Sequence, residues 1–252
     1  KNVGILQVGQ AIGTGYGFVG DGIYQISDFN WQDDSDPNIP HASRVYQIKP
    51  GVVNFPGVVV APGMYKFKDI NGDKIVNDKD QQIISTSQPK FWGGFNNTFN
   101  YKNIDLNIFL EGSYGRQVLN LTRYQFWGRV PKNNLSSDYY YNRWTEQNPT
   151  NQYGIFTDEN LTAAYVSTFY VEDASYLRLK SVSIGYTLPA SLLKKAGINR
   201  LRVYLTANDM ITWTNYTGYD PEVSLNNSLI SGLDNASYPR TKTWMAGLTV
   251  SF

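Results

Sequence analysis

The chain has 252 residues and a net charge of +1; 17% of them are charged, 41% hydrophobic and 15% aromatic, with 19 Tyr and 6 Trp. The near-neutral balance leaves no concentrated basic field for a nucleic-acid partner, and no run of about 18 apolar residues exists to cross a membrane as a helix. Without cysteine there is neither a disulfide framework nor a thiolate metal site.

What remains is a tyrosine-rich, charge-poor composition with many Gly and Asn for turns, which suits an all-β chain. In chain order, two weak alternating segments come first, at 3–11 and 15–26, joined at Gly13-Thr14-Gly15. A long connection, 27–89, follows. It holds the single histidine, His41, after Asp33, Asp34 and Asp36, and no catalytic triad could be built without that residue. Phe91, Phe95, Phe99 and Tyr101 then alternate with polar neighbours, and after Lys102-Asn103 the pattern resumes with Ile104, Leu106, Ile108 and Leu110. This is a hairpin with a tight turn. The second long connection, 115–168, ends before a strand at Tyr176–Leu188 whose apolar phase slips, predicting a bulge near Lys180-Ser181. Pro189 to Gly197 reads as a short helix. The next strand carries Leu201, Val203, Leu205, Ala207, Ile211 and Trp213 on one side, with Asp209 as the one charge on that side. After the third long connection, 214–242, the strand 243–252 places Trp244, Ala246, Leu248, Val250 and Phe252 on one face.

Every second connection is long. Membrane barrels have this rhythm because their external loops are long and their periplasmic turns short. The expected fold is therefore an all-β antiparallel transmembrane β-barrel fragment of about seven strands, with extracellular loops 27–89, 115–168 and 214–242. Bacterial barrels have an even strand count, which predicts that Lys1 is an interior position of a longer chain, or that the first strand pairs with another one.

Several blocks resemble the carboxy-terminal part of SusC/RagA-type TonB-dependent outer-membrane transporters: Gly13-Thr-Gly-Tyr-Gly-Phe18, Asp69-Ile-Asn-Gly-Asp73, Gly94-Phe-Asn-Asn-Thr-Phe99, Tyr176-Leu-Arg-Leu-Lys180, Gly185-Tyr-Thr-Leu-Pro189, Gly218-Tyr-Asp-Pro-Glu222 and Tyr238-Pro-Arg-Thr241. Their shared order over nearly the whole chain is what makes the resemblance specific. It implies a barrel of about 22 strands occluded by a plug, set in the outer membrane of a Gram-negative bacterium and importing oligosaccharides or oligopeptides. It also implies membrane lipid around the barrel, a SusD-like lipoprotein as lid, and TonB contact through a plug absent from this sequence. The rest of the barrel and plug could be a separate chain.

Two groups of site residues are expected. Asp69, Asn71, Asp73, Ile75, Asn77 and Asp80 occupy positions 1, 3, 5, 7, 9 and 12 of a twelve-residue loop, the spacing that wraps a structural Ca2+. Lys74 stands where such loops carry glycine, and Asp80 where they carry Glu. Trp127, Tyr139, Tyr140 and Trp144 crowd the second long loop, as ligand-stacking or lid-contacting rings or as loop packing. The competing reading is a soluble carbohydrate-binding β-sandwich with a calcium loop, which would bury the apolar faces. No enzyme is expected: Asp105 and Glu111, the strand-borne carboxylates sharing a face, stand roughly 20 Å apart, too far for glycoside hydrolysis.

Overall fold

The computed structural model describes residues 4–31, 46–127, 134–156, 161–194, 197–223 and 231–252. The expectations attached to His41, Asp33, Asp34 and Asp36 lie outside these residues. The chain divides into two compact units, one of residues 1–87, 118–172 and 224–236, the other of 88–117, 173–223 and 237–252.

The first unit begins with β1 (Gly4–Ile5), β2 (Thr14–Gly17), β3 (Gly20–Ile23), β4 (Phe29–Trp31), β5 (Tyr46–Ile48), β6 (Tyr65–Phe67) and β7 (Gln82–Thr86). They form small sheets, β1-β2-β7, β3-β6 and β4-β5. The strands expected at 3–11 and 15–26 are thus replaced by pieces of two to four residues. Gly9, Gly13 and Gly22 sit at φ 86, 83 and 91, so the backbone leaves the extended region where continuous strands would need it. Aromatic packing holds this unit. Phe18, Phe55 and Phe67 meet with centroids 5.2–5.8 Å apart, and Tyr124, Trp127 and Tyr153 belong to a second buried cluster.

The second unit is one antiparallel sheet. Its strands are β8 (Phe91–Tyr101) and β9 (Ile104–Tyr114), and, after β10 (Gln117–Asn120), α1 (Leu121–Phe126), α2 (Ser137–Asn142) and β11 (Val171–Asp173), β12 (Tyr176–Thr187). After α3 (Ala190–Leu193) come β13 (Arg200–Thr214) and, beyond β14 (Leu233–Asp234) of the first unit, β15 (Thr243–Ser251). The order is β15-β13-β12-β9-β8. Five long strands, not seven, make up the sheet. They run 11, 11, 12, 15 and 9 residues, and a tilted strand of about 9–11 residues crosses a bilayer.

Register explains the faces. Phe99, Leu106, Ile184, Leu205 and Ala246 align across all five strands, and so do their neighbours Thr98, Asn107, Ser183, Thr206 and Met245 on the opposite side. The first row belongs to a face with no charged side chain. Its members stay uncovered: Phe99 is 56% exposed, Leu205 44% and Leu248 66%. In water each would forfeit about 1.5–3 kcal/mol of burial, and in a β-sandwich they would be interior. The sandwich reading fails on this face. The long connections leave the sheet at the end where β8 starts, and the short ones at the other. Lys102, in the tight β8-β9 turn, takes φ 53. The predicted bulge is present: register shifts between Leu179 and Ser181 against both neighbours of β12.

Candidate functional site

On the long strands of the sheet the charged side chains lie on the polar face. Arg202 Nε donates to Asp105 Oδ1 at 2.9 Å across β13, β12 and β9, over Gly185, where a Cβ would meet the guanidinium at 2.4 Å. At the bulge, Lys180 Nζ donates to Glu111 at 3.2 Å and lies 3.6 Å from Asp209 Oδ1. This corrects the placement of Asp209 on the apolar side. The residue adopts φ 53, and its carboxylate thereby reaches the lysine that also holds Glu111 on the polar face. A lone carboxylate against hydrocarbon would be expensive; the left-handed kink avoids it.

A denser cluster closes the loop end. Arg178 on β12 is only 2% exposed. Its Nη2 donates to Asp220 at 2.7 Å, Nη1 to Glu222 at 2.8 Å and Nε to Thr212 at 2.9 Å. Arg240 reaches the same carboxylates from the other side, 2.9 Å to Asp220 and 2.7 Å to Glu222. Arg116 donates to the carbonyls of Pro221 and Val223. Arg178 therefore ties the 220–222 stem of the third long connection to the sheet, and the shared carboxylates of Asp220 and Glu222 tie Arg240 on the other stem to it. No site was expected here, yet the signal was present: Tyr176–Lys180, Gly218–Glu222 and Tyr238–Thr241 are blocks that carried the family resemblance, and the structure makes them one cluster.

The loop expected to hold calcium, Asp69 to Asp80, is closed by its own hydrogen bonds. Lys74 takes φ 67 at the position where glycine was missing, and Val76, at position 8, is buried as an anchor. Asp69 accepts from Gly72 N and Lys74 N, both at 2.7 Å. Asp73 accepts from Ile75 N, Asn71 from Asp73 N, and Asn77 from Lys79 N. Asn77 also donates its side-chain amide to the Ile75 carbonyl, at 3.4 Å. Asp80 is fully buried and accepts from Ile70, Asn71 and Asn77 N–H groups at 2.8–3.3 Å. Burial opposes its ionisation, but these three N–H groups outweigh it and hold the carboxyl below its ordinary range. Among the described residues no group of three or more acidic or histidine side chains converges as a metal site. The carboxylates of Asp69, Asp73 and Asp80 accept from the loop's own amides.

Of the expected aromatic group, Trp127, Tyr139 and Trp144 are buried. Tyr139 Oη donates to the Gly154 carbonyl at 2.7 Å, and Trp144 Nε1 to Gln25 Oε1 at 2.9 Å. Trp127 stands 4.7 Å from Tyr153 and 3.5 Å from the Arg123 guanidinium. These three rings are interior packing. Tyr140 is 51% exposed, with Tyr141 beside it, also exposed, so any stacking surface on this segment falls to that pair.

An apolar face free of charge, a polar opposite face and long connections at one end define the wall of an outer-membrane-type β-barrel. No protein-family profile matches the chain. It is 32% identical over 259 residues to the TonB-dependent receptor P3 of Formosa agariphila, covering 98% of this chain and 23% of that protein. To the TonB-dependent receptor SusC of Bacteroides thetaiotaomicron it is 27% identical over 188 residues, covering 74% of this chain and 17% of that one. The structure of the RagAB peptide importer in its open-open state superposes with a TM-score of 0.63 at 22% identity, covering 95% of this chain and 22% of that chain; this likeness carries the fold. The chain belongs to the SusC/RagA-type TonB-dependent outer-membrane transporters, and it spans about a quarter of the length of the curated relatives that it matches over nearly its whole length.

Proposed function

We propose that this chain supplies part of the wall and external loops of a Gram-negative outer-membrane importer, driven through TonB and capped by a SusD-like lipoprotein, for oligosaccharide or oligopeptide nutrients. The observation that carries the reading is the five-stranded sheet with its charge-free exposed face and polar inner face. The chain does no covalent chemistry in this reading: the polar face lines a passage, and the Arg178 cluster steadies an external loop at its mouth. Support for a lipoprotein partner comes from the SusC relative and the RagAB likeness. The test is uptake by cells whose full-length receptor carries Arg178→Ala, with labelled oligosaccharide and labelled oligopeptide compared. Loss of uptake of one class at unchanged receptor abundance supports the reading and names the cargo. Unchanged uptake of both by cells lacking the receptor altogether refutes it.

Calcium in the loop Asp69–Asp80 is part of the same proposal. The twelve-residue spacing and the left-handed Lys74 support it, and the ion would draw Asp69, Asp73 and Asp80 from their amide partners. Its role there is structural.

A further inference from the structure

The three long connections, far apart in sequence, meet on one short strand. β2 spans Thr14–Gly17 and is preceded by Gly13. Its glycines leave room for neighbouring chain. A Cβ on Gly13 would lie 2.2 Å from the hydroxyls of both Ser87 and Ser231, and one on Gly15 2.2 Å from that of Ser85. A Cβ on Gly17 would lie 2.4 Å from the Val166 carbonyl oxygen. Ser85 and Ser87 close the first long connection, Val166 belongs to the second and Ser231 to the third. Neighbours occupy the space that side chains at 13, 15 and 17 would take.

Hydrogen bonds extend this seam. From second connection to first, Ile155 N–H donates to the Gly63 carbonyl at 2.7 Å, and from first to second Tyr65 N–H donates to Thr162 Oγ1 at 2.9 Å. Phe18, just after β2, donates to the Val166 carbonyl at 2.9 Å and accepts from Thr168 N–H at 3.0 Å. Between second and third, Leu119 N–H donates to the Gly232 carbonyl at 2.8 Å and Ala236 N–H to Thr122 Oγ1 at 2.7 Å. The hydroxyls of Ser87 and Ser231, 2.9 Å apart, join third to first. Gln25 adds a clamp. An indole N–H can only donate, so Trp144 fixes the Gln25 carbonyl oxygen toward itself and turns the amide nitrogen to the carbonyls of Ile23 and Thr150, at 3.0 and 3.2 Å.

We propose that the described parts of the three long connections form one cooperative body. On the reading of these connections as external loops of an importer, that body is displaced whole or not at all, and none of the three lifts alone as a gate. Lifting one would strip buried donors and acceptors in the others of their partners, which exacts their full desolvation cost. Thr162, Val166, Ser167 and Trp144 are buried within this unit already, and further chain around them could only deepen that burial.

The test is hydrogen exchange of the full-length receptor in mild detergent, read by mass spectrometry on peptides covering 61–68, 117–122, 162–170 and 231–236, with β9 and β12 as reference. Gly17→Ala pushes on Val166, in the second connection alone. In a cooperative body the opening that exposes one connection exposes all, so exchange should quicken by one shared factor, about tenfold, in every one of these peptides and stay unchanged in β9 and β12. Gln25→Met keeps the volume and removes the amide; it should give the same shared pattern, and it serves if Gly17→Ala does not assemble. Acceleration confined to 162–170 in Gly17→Ala, or to the contacts of residue 25 in Gln25→Met, would overturn the proposal. Exchange reads the coupling whatever the cargo. A receptor that failed the uptake test would leave a shared factor standing, and confined exchange would leave the importer standing.

Discussion

Arg178 makes the most consequential contacts of any single side chain in the sheet. Replacing it with Ala leaves Asp220 buried with only the more exposed Arg240 as its cationic partner, which costs up to about 3–5 kcal/mol. Arg240→Ala removes a half-exposed partner and should cost about 1 kcal/mol or less. Thermal unfolding of the two variants in detergent, with limited proteolysis between β13 and β15, checks the order; a larger effect from Arg240 would be inconsistent with the burial. Asp80 gives a pH dependence. Its folded carboxyl titrates below the ordinary value of 3.8, so the stabilisation is complete above that value and is lost as pH falls through the lowered one. Amide exchange at Ile70, Asn71 and Asn77, corrected for intrinsic rates, should hold steady above the ordinary carboxyl value of 3.8 and accelerate as the pH falls below it. Added calcium should slow the same amides at neutral pH, and Asp69→Ala with Asp73→Ala should abolish that response. Indifference to both calcium and chelator would remove the ion from the account.

Elements divide sharply in how legible they were. The β8-β9 hairpin, β13 and β15 follow from period-two alternation, because each has one face set by lipid and the other by water. Even the β12 bulge showed as a phase slip around Lys180. Residues 3–26 carried a weaker alternation and became three short strands, since positive-φ glycines redirect the chain and aromatic packing in the other unit takes over. Asp209 was misplaced for a related reason: parity assigns a face, and a residue at φ 53 escapes parity. The tight turn offers a test of the same kind. Lys102→Gly relieves about 1–2 kcal/mol of left-handed strain against about 0.5–1 kcal/mol of added unfolded-state entropy, so it should stabilise the hairpin by about 0.5–1 kcal/mol, measured as a shift in the unfolding midpoint. A destabilisation would mean that the Lys102 ammonium, 5.4 Å over the Tyr101 ring, contributes more than the strain.

For the whole molecule, the rhythm of long and short connections identified a barrel, and the order of seven short blocks identified its family. The sequence could not show that the long connections build a unit with its own aromatic core, because contacts such as Trp144 to Gln25 join residues 119 apart. Nor could it show that Arg178, Asp220, Glu222 and Arg240 converge, although each stood in a quoted block. The central claim is that the face of Phe99, Ile184, Leu205 and Leu248 lies against hydrocarbon while Thr98, Ser183, Thr206 and Thr249 face water. Substitution follows it: Leu205→Lys should cost about 2–4 kcal/mol and Thr206→Lys little. The most direct measurement places nitroxide labels singly at 205, 206, 248 and 249 of the full-length receptor in lipid bilayers and compares collision with oxygen against collision with a water-soluble nickel chelate. Labels at 205 and 248 should favour oxygen, and those at 206 and 249 the nickel chelate. Nickel accessibility at 205 and 248 equal to that at 206 and 249 would contradict the barrel wall.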